Sequence, residues 1–447
     1  MDKQPIDLLV SARWVIPVEP EATVLTDHSI AVAGGRIAAI LPSADAERRY
    51  QAAEHVRLGQ HALIPGLVNL HTHASMTLMR GLADDLPLMT WLKDHIWPAE
   101  ARHASPDFVH DGTLLACAEM LRGGVTCFNE MYFFPEAAAR AALEAGMRAA
   151  VGIIAFEFPT PYASDADDYI ARGLATRDAF KDEPLLSFCM APHAPYTVSD
   201  RTFARIATIA EELDLPIHLH LHETRAEIEE SLVQFKARPL DRLHALGLLG
   251  PRLIAVHAVH VTDGEIDVLA RFGVSVAHCP SSNLKLASGF APVAAMLERG
   301  INVGLGSDGA ASNNRLDLFQ EMRTAALLAK AVKGDAEAMP APQALAAATL
   351  GGARALGLES TIGSLLPGKS ADLCAVALDT PELAPCYDVV SHLVYVAGRE
   401  HVSHVWVAGE ARVIEGRLRR VDTRSLNNRI LSWHNKLAAE TKAPKIQ

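Results

Sequence analysis

Two histidines at i and i+2, His71 and His73, close the apolar run Leu63-Ile64-Pro65-Gly66-Leu67-Val68-Asn69-Leu70. On an extended strand those positions share a face. Two imidazoles therefore stand side by side where a buried strand stops, which is half of a metal site. Residues that could supply the other half end later runs of the same texture. One run reads Ala191-Pro192-His193, and another carries His218, His220, His222 and Glu223. A third carries His257 and His260, and a fourth ends in Gly306-Ser307-Asp308-Gly309. A borderline divalent ion takes imidazole nitrogen and carboxylate oxygen, and a catalytic site keeps one position for water. His71, His73, one histidine of the run at 216–223 and Asp308 make such a set. A lone His-x-His is more often a packed core residue, but its repetition at strand ends is hard to explain by packing.

These residues need a scaffold that delivers strand ends to one place. Strand-like runs at 62–73, 125–130, 148–156, 185–192, 216–223, 253–260, 274–279 and 302–308 alternate with helical stretches such as 203–213 and 266–272. Eight parallel strands with intervening helices spell a (β/α)8 TIM barrel, whose active site lies at the C-terminal ends of the strands. An open doubly wound sheet would show a glycine-rich phosphate turn after its first strand, and none is present. The flanks read differently. β patterning around Gly34-Gly35 returns near 363–376 and as a hairpin through Gly409. The expected organisation is a small composite β-sandwich domain from 1–60 plus 360–422, a barrel over 61–359 and a helical tail over 423–447.

The 447 residues are 49% hydrophobic and 21% charged, which suits a large globular chain without disorder. A net charge of -12 without a dominant basic patch speaks against nucleic acid. No apolar run reaches membrane-spanning length, and Met1-Asp2-Lys3-Gln4-Pro5 does not open a signal peptide. Cys117, Cys127, Cys189, Cys279, Cys374 and Cys386 are scattered with no Cys-x-x-Cys, as expected of reduced thiols in a cytoplasmic protein. The small zinc deaminases with His-x-Glu and Pro-Cys-x-x-Cys are excluded on the same ground.

The motifs taken together resemble the amidohydrolase superfamily. They are Pro65-Gly66 leading to His71-Thr72-His73, His220-x-x-Glu223, His257 and Ser307-Asp308-Gly309. Met79-Arg80-Gly81, Gly124-Val125-Thr126, Ala191-Pro192-His193, Ser282-Asn283-Leu284-Lys285-Leu286 and the run at 307–314 are similar to its ATZ/TRZ-type hydrolases and aminohydrolases. The branch acting on adenine nucleosides is the nearest in texture, and the similarity spans nearly the whole chain.

That resemblance implies a hydrolytic deaminase with one divalent metal per subunit, Zn2+ ahead of Fe2+ or Mn2+. It implies His71, His73, His220 and Asp308 as ligands. Glu223 would shuttle protons, His257 would orient the attacking water and Asp308 would take its proton. Glu100 would read the ribose hydroxyls, and His193 would contact purine or sugar. Trp97, with Trp91 and Met89, would wall a thioether group, and Glu223 and Asp308 would also touch substrate. His218, His222 and His278 are left without a role. Strand four carries no lysine or glutamate to bridge a second ion. The run Gly146-Met147-Arg148-Ala149-Ala150 lacks the further arginine that helps relatives hold the amino-acid tail of S-adenosylhomocysteine. Methylthioadenosine and adenosine are therefore the expected substrates, in a homo-oligomer. The alternatives are deamination of guanine or another nucleobase, triazine chlorohydrolysis, and a non-catalytic scaffold of the same fold. The full ligand set speaks against the last.

Overall fold

The computed structural model describes residues 3–441. The last residues of the expected tail, 442–447, and Met1 and Asp2 lie outside the described residues. Two sheets of eight strands organise the chain. The first is all parallel and runs in sequence order around the barrel: Leu67–Thr72, Val125–Glu130, Arg148–Ala155, Leu186–Pro192, Ile217–Leu221, Leu253–His257, Ser275–His278 and Val303–Leu305. These are barrel strands one to eight. Every residue of strands one to three and five to eight is buried, as expected when helices cover the outside. Asn69 ties strand one to the end of strand eight, donating to Ser307 Oγ at 2.7 Å and accepting from Ser307 N at 2.9 Å. Asp308 N then donates to His71 O, which brings the eighth strand end beside the first.

The second sheet is mixed and joins the two flanks of the chain. Its central seam is antiparallel, between Tyr50–Pro65 and Leu373–Ala377. The N-terminal strands extend it on one side, and the hairpin Val402–Val407 with Glu410–Ile414 extends it on the other. The helix Thr423–Thr441 follows.

The apolar run expected as one strand over 62–73 is divided at Pro65-Gly66. Before it the backbone pairs with Leu373–Ala377, and after it with Val125–Glu130. Gly66 sits where a Cβ would overlap the Thr126 side chain, so only glycine lets the chain cross from one sheet to the other. One continuous apolar run thus serves the mixed sheet with its first half and leads to the His-x-His pair with its second.

A buried ion pair welds the two sheets. Arg148, at the start of strand three, donates to Asp372 Oδ2 at 2.8 Å and to Ser370 Oγ at 2.8 Å. Asp372 Oδ1 also accepts from Ala408 N at 2.9 Å. Removing one partner of such a pair leaves a buried charge unanswered. Asp372→Ala is expected to lower unfolding stability by about 3–5 kcal/mol in chemical denaturation. A loss below about 1 kcal/mol, the worth of an exposed pair, would contradict this role.

Candidate active site

Strand five alternates His218 and His220 on one face with Leu219 and Leu221 on the other, all buried. His220 Nε2 lies 3.2 Å from His71 Nε2. Asp308 Oδ1 lies 3.2 Å from His71 Nε2 and 3.4 Å from His73 Nε2. His257 completes the cluster: its ligand atom and those of His71 and His220 all lie within 4.8 Å of one another, as do those of His71, His73 and Asp308.

The far nitrogen of each ring is engaged. His73 Nδ1 donates to Met131 O at 2.6 Å, and His220 Nδ1 donates to His193 O at 2.7 Å. His257 Nδ1 donates to Asn283 Oδ1 at 2.9 Å, and His71 Nδ1 lies 2.9 Å from His218 Nε2. With the Nδ1 proton so placed, the Nε2 lone pairs face one point. Burial pushes His71 down to about 4 against the pull of Asp308, and lowers His73 and His220. These rings are neutral at physiological pH, the state a metal ligand needs. Burial alone would raise Asp308, but the facing imidazoles His71, His73 and His257, when they carry the proton, outweigh it and hold the carboxyl well below its usual range. Asp308 Oδ2 accepts from Ser282 Oγ at 2.6 Å and Ser312 Oγ at 2.9 Å, which leaves Oδ1 toward the histidines. Neutral imidazoles and one ionised carboxylate oxygen aimed at a common centre are a donor set that fits a divalent ion.

His218, left open from sequence, backs His71 from deeper in the barrel. His222 leaves the cluster although it continues the alternation. Its φ of +55° ends the strand and turns the ring outward, where Nε2 accepts from Leu240 N at 3.1 Å. The turn delivers Glu223 to the site, with Oε2 3.8 Å from His257 Nε2. Glu227 holds the turn by accepting from His222 N at 2.9 Å and Glu223 N at 2.8 Å. Burial raises the Glu223 carboxyl above its usual range, the direction that favours its protonated form.

A cavity of about 500 Å3 opens over this floor. His73, His220, Glu223, His257 and Asp308 line its base, and Trp97, Glu100 and His193 line its wall. His193 stacks on Phe156 with ring centroids 4.6 Å apart, and its Nδ1 lies 3.0 Å from Thr197 Oγ1. Burial pushes Glu100 up to about 7, opposed by the Tyr132 hydroxyl. Trp91 joins the wall as expected. Met89 does not, and lines a neighbouring cleft instead. Sequence reasoning missed the aromatic wall of Phe133, Phe156 and Phe158. These residues stand just beyond strands two and three, where no period marks them. It also missed Ser312 and the orienting role of Asn283, although both lie in runs that had been singled out.

The model of the amidohydrolase family matches residues 62–412. The chain belongs to that family. It is 46% identical over 99% of its length to the whole of a 5-methylthioadenosine/S-adenosylhomocysteine deaminase from Saccharophagus degradans. It is 47% identical, over 97% of its length and 98% of the relative, to the enzyme of the same name from Teredinibacter turnerae. A solved adenosine deaminase from Xanthomonas campestris with bound zinc superposes with a TM-score of 0.97 at 51% identity, covering 98% of this chain and 100% of that one. A guanine deaminase from E. coli shares the fold at a TM-score of 0.80 and 24% identity. Among the described residues no helix is long and apolar enough to cross a membrane.

His218→Leu removes the partner of His71 Nδ1. It is expected to weaken zinc binding about 10–100-fold, read by competition with a chelator. Unchanged affinity would show that His71 needs no such support.

Proposed function

We propose that the chain is a metal-dependent hydrolytic deaminase of adenine nucleosides, converting 5′-methylthioadenosine or adenosine to the inosine analogue and ammonia. One observation carries the reading: an acid raised by burial, Glu223, and a depressed carboxylate, Asp308, face each other's space at the base of an aromatic cavity whose wall holds a second carboxyl, Glu100. The relatives named for methylthioadenosine and S-adenosylhomocysteine support it.

His71, His73, His220 and Asp308 would hold one divalent ion, with zinc favoured by the Xanthomonas campestris neighbour and iron or manganese suited by the same donors. A single ion is favoured because strand four, Leu186–Pro192, carries no bridging lysine or glutamate, and its Cys189 donates to Asn129. Such an ion supplies a water that is nucleophilic at neutral pH. The rest of the chemistry falls to side chains. His257 Nε2 orients the water, and Asp308 takes one of its protons. The oxygen bonds C6 of the adenine ring while Glu223 gives its proton to ring N1. Asp308 returns its proton to the amino group, the C6–N bond breaks and ammonia leaves. The proton left on the C6 oxygen goes to Glu223, which restores the acid. The six free cysteines fit a cytoplasmic enzyme.

Specificity follows from the cavity wall. Glu100 would accept both ribose hydroxyls as a carboxylate. Among the described residues, the lining includes no lysine or arginine. Phe133, Phe156, Phe158 and Trp97 suit a methylthio group, whereas the charged homocysteine tail would lie there unpaired. Methylthioadenosine is therefore preferred over S-adenosylhomocysteine. Guanine and triazines have no hydroxyls for Glu100 to read, and the likeness to the guanine deaminase shows the fold alone.

Glu223→Gln is expected to keep the metal and lose turnover of methylthioadenosine by about 10²–10⁴-fold. Near-normal kcat would remove Glu223 from the proton path. Glu100 tests the substrate class. Its carboxyl is neutral below about 7 and ionised above, so the accepting state grows as pH rises. KM for methylthioadenosine should fall between pH 6 and 8, and Glu100→Gln should abolish that dependence and raise KM about 10–100-fold. A Glu100→Gln enzyme with the parent's KM profile would contradict ribose recognition.

A further inference from the structure

His257 has two neutral tautomers, and only one presents a lone pair on Nε2 to the reaction centre. That tautomer requires Nδ1–H to donate to Asn283 Oδ1, 2.9 Å away. An asparagine amide cannot enforce this by itself. Turned over, it would donate from Nδ2 to His257 Nδ1 and select the opposite tautomer. Something must fix which end of the Asn283 amide faces His257.

The backbone of Asn283 is already committed. Its N donates to Cys279 O, and its O accepts from Ser288 N. The side chain is 2% exposed, and its Nδ2 is buried with no partner. His278, the last residue of strand seven, is 3% exposed, and its Nδ1 is also buried with no partner. Both residues line one cavity of about 10 Å3. That is room for about one water. A buried donor and a buried acceptor on so small a space have reason to pair across it, because leaving either unpaired costs about 1–3 kcal/mol. Burial pushes His278 down to about 3, so it stays neutral, and in its Nε2-protonated tautomer Nδ1 keeps a lone pair to offer.

We propose that His278 is a positioning residue: by accepting from Asn283 Nδ2 it turns Oδ1 toward His257 and thereby sets the His257 tautomer. The catalytic consequence rests on the deaminase reading above; the tautomer itself does not. The order runs from the end of strand seven, through the short helix Pro280–Lys285, to the end of strand six. Neither His278 nor Asn283 lines the substrate cavity, so the effect should fall on kcat rather than on KM.

The test uses the zinc-loaded protein labelled with 15N-histidine, in which side-chain nitrogen shifts separate the two tautomers and a His257→Gln sample assigns the signal. The parent should show His257 protonated at Nδ1. His278→Leu should give a mixture of tautomers and lower kcat for methylthioadenosine about 10–100-fold with KM within twofold. His278→Gln, which restores an acceptor, should recover both the single tautomer and the rate. A purely structural role would not show that rescue. Should His278→Leu not fold, Asn283→Ala must give the same mixing. A His257 signal unchanged in His278→Leu or in Asn283→Ala would overturn the proposal, and so would failure of His278→Gln to restore it. The nitrogen shifts need no turnover. A protein inactive on every nucleoside but with these shifts would count against the deaminase reading and leave the relay standing.

Discussion

The molecule depends on holding four imidazoles, with Nε2 free, around one ionised carboxylate. Each ring would rather share its proton with a neighbour than leave a lone pair bare. The fold prevents this by tying down every Nδ1. Main-chain carbonyls hold His73 and His220, a second imidazole backs His71, and an amide holds His257. Asp308 is restrained in the same spirit by two serine hydroxyls on its outer oxygen. Because these partners sit on different strands and loops, the donor geometry exists only when the barrel is closed.

Closure asks for backbone that an ordinary strand does not supply. His222, His257 and Asp308 all have positive φ where their strands end, a conformation that disfavours side chains by about 1–3 kcal/mol each. At His222 the turn expels one imidazole and brings in Glu223. At His257 and Asp308 it aims the side chain inward past the last ladder hydrogen bond. The mixed sheet is bound to the barrel through Arg148 and Asp372.

Much of this was legible in the residues. All eight barrel strands fall inside runs read from apolar texture, and His71, His73, His193, His220, Glu223, His257 and Asp308 at their ends reach the cluster or its cavity, whereas Glu130, His222, His260 and His278 do not. His222 shows why alternation alone misleads: a period of two holds only while φ stays extended, and no residue type at 222 announces the turn. The division at Gly66 was hidden for a related reason. An apolar run does not say which of two sheets each half joins, and only the approach of Thr126 decides it. The aromatic wall was unreadable because Phe133, Phe156 and Phe158 meet through loops whose spacing follows no repeat.

The central claim is that this floor and wall recognise a nucleoside rather than a free base. The most direct measurement is ammonia or chloride release by the zinc-loaded protein offered methylthioadenosine, adenosine, S-adenosylhomocysteine, guanine and a chlorotriazine at equal concentration. The account predicts the highest kcat/KM for methylthioadenosine, lower values for adenosine and S-adenosylhomocysteine, and no turnover of guanine or the triazine. Turnover of a free base or triazine with none of any adenine nucleoside would leave the metal cluster in place and contradict the reading of the cavity above it.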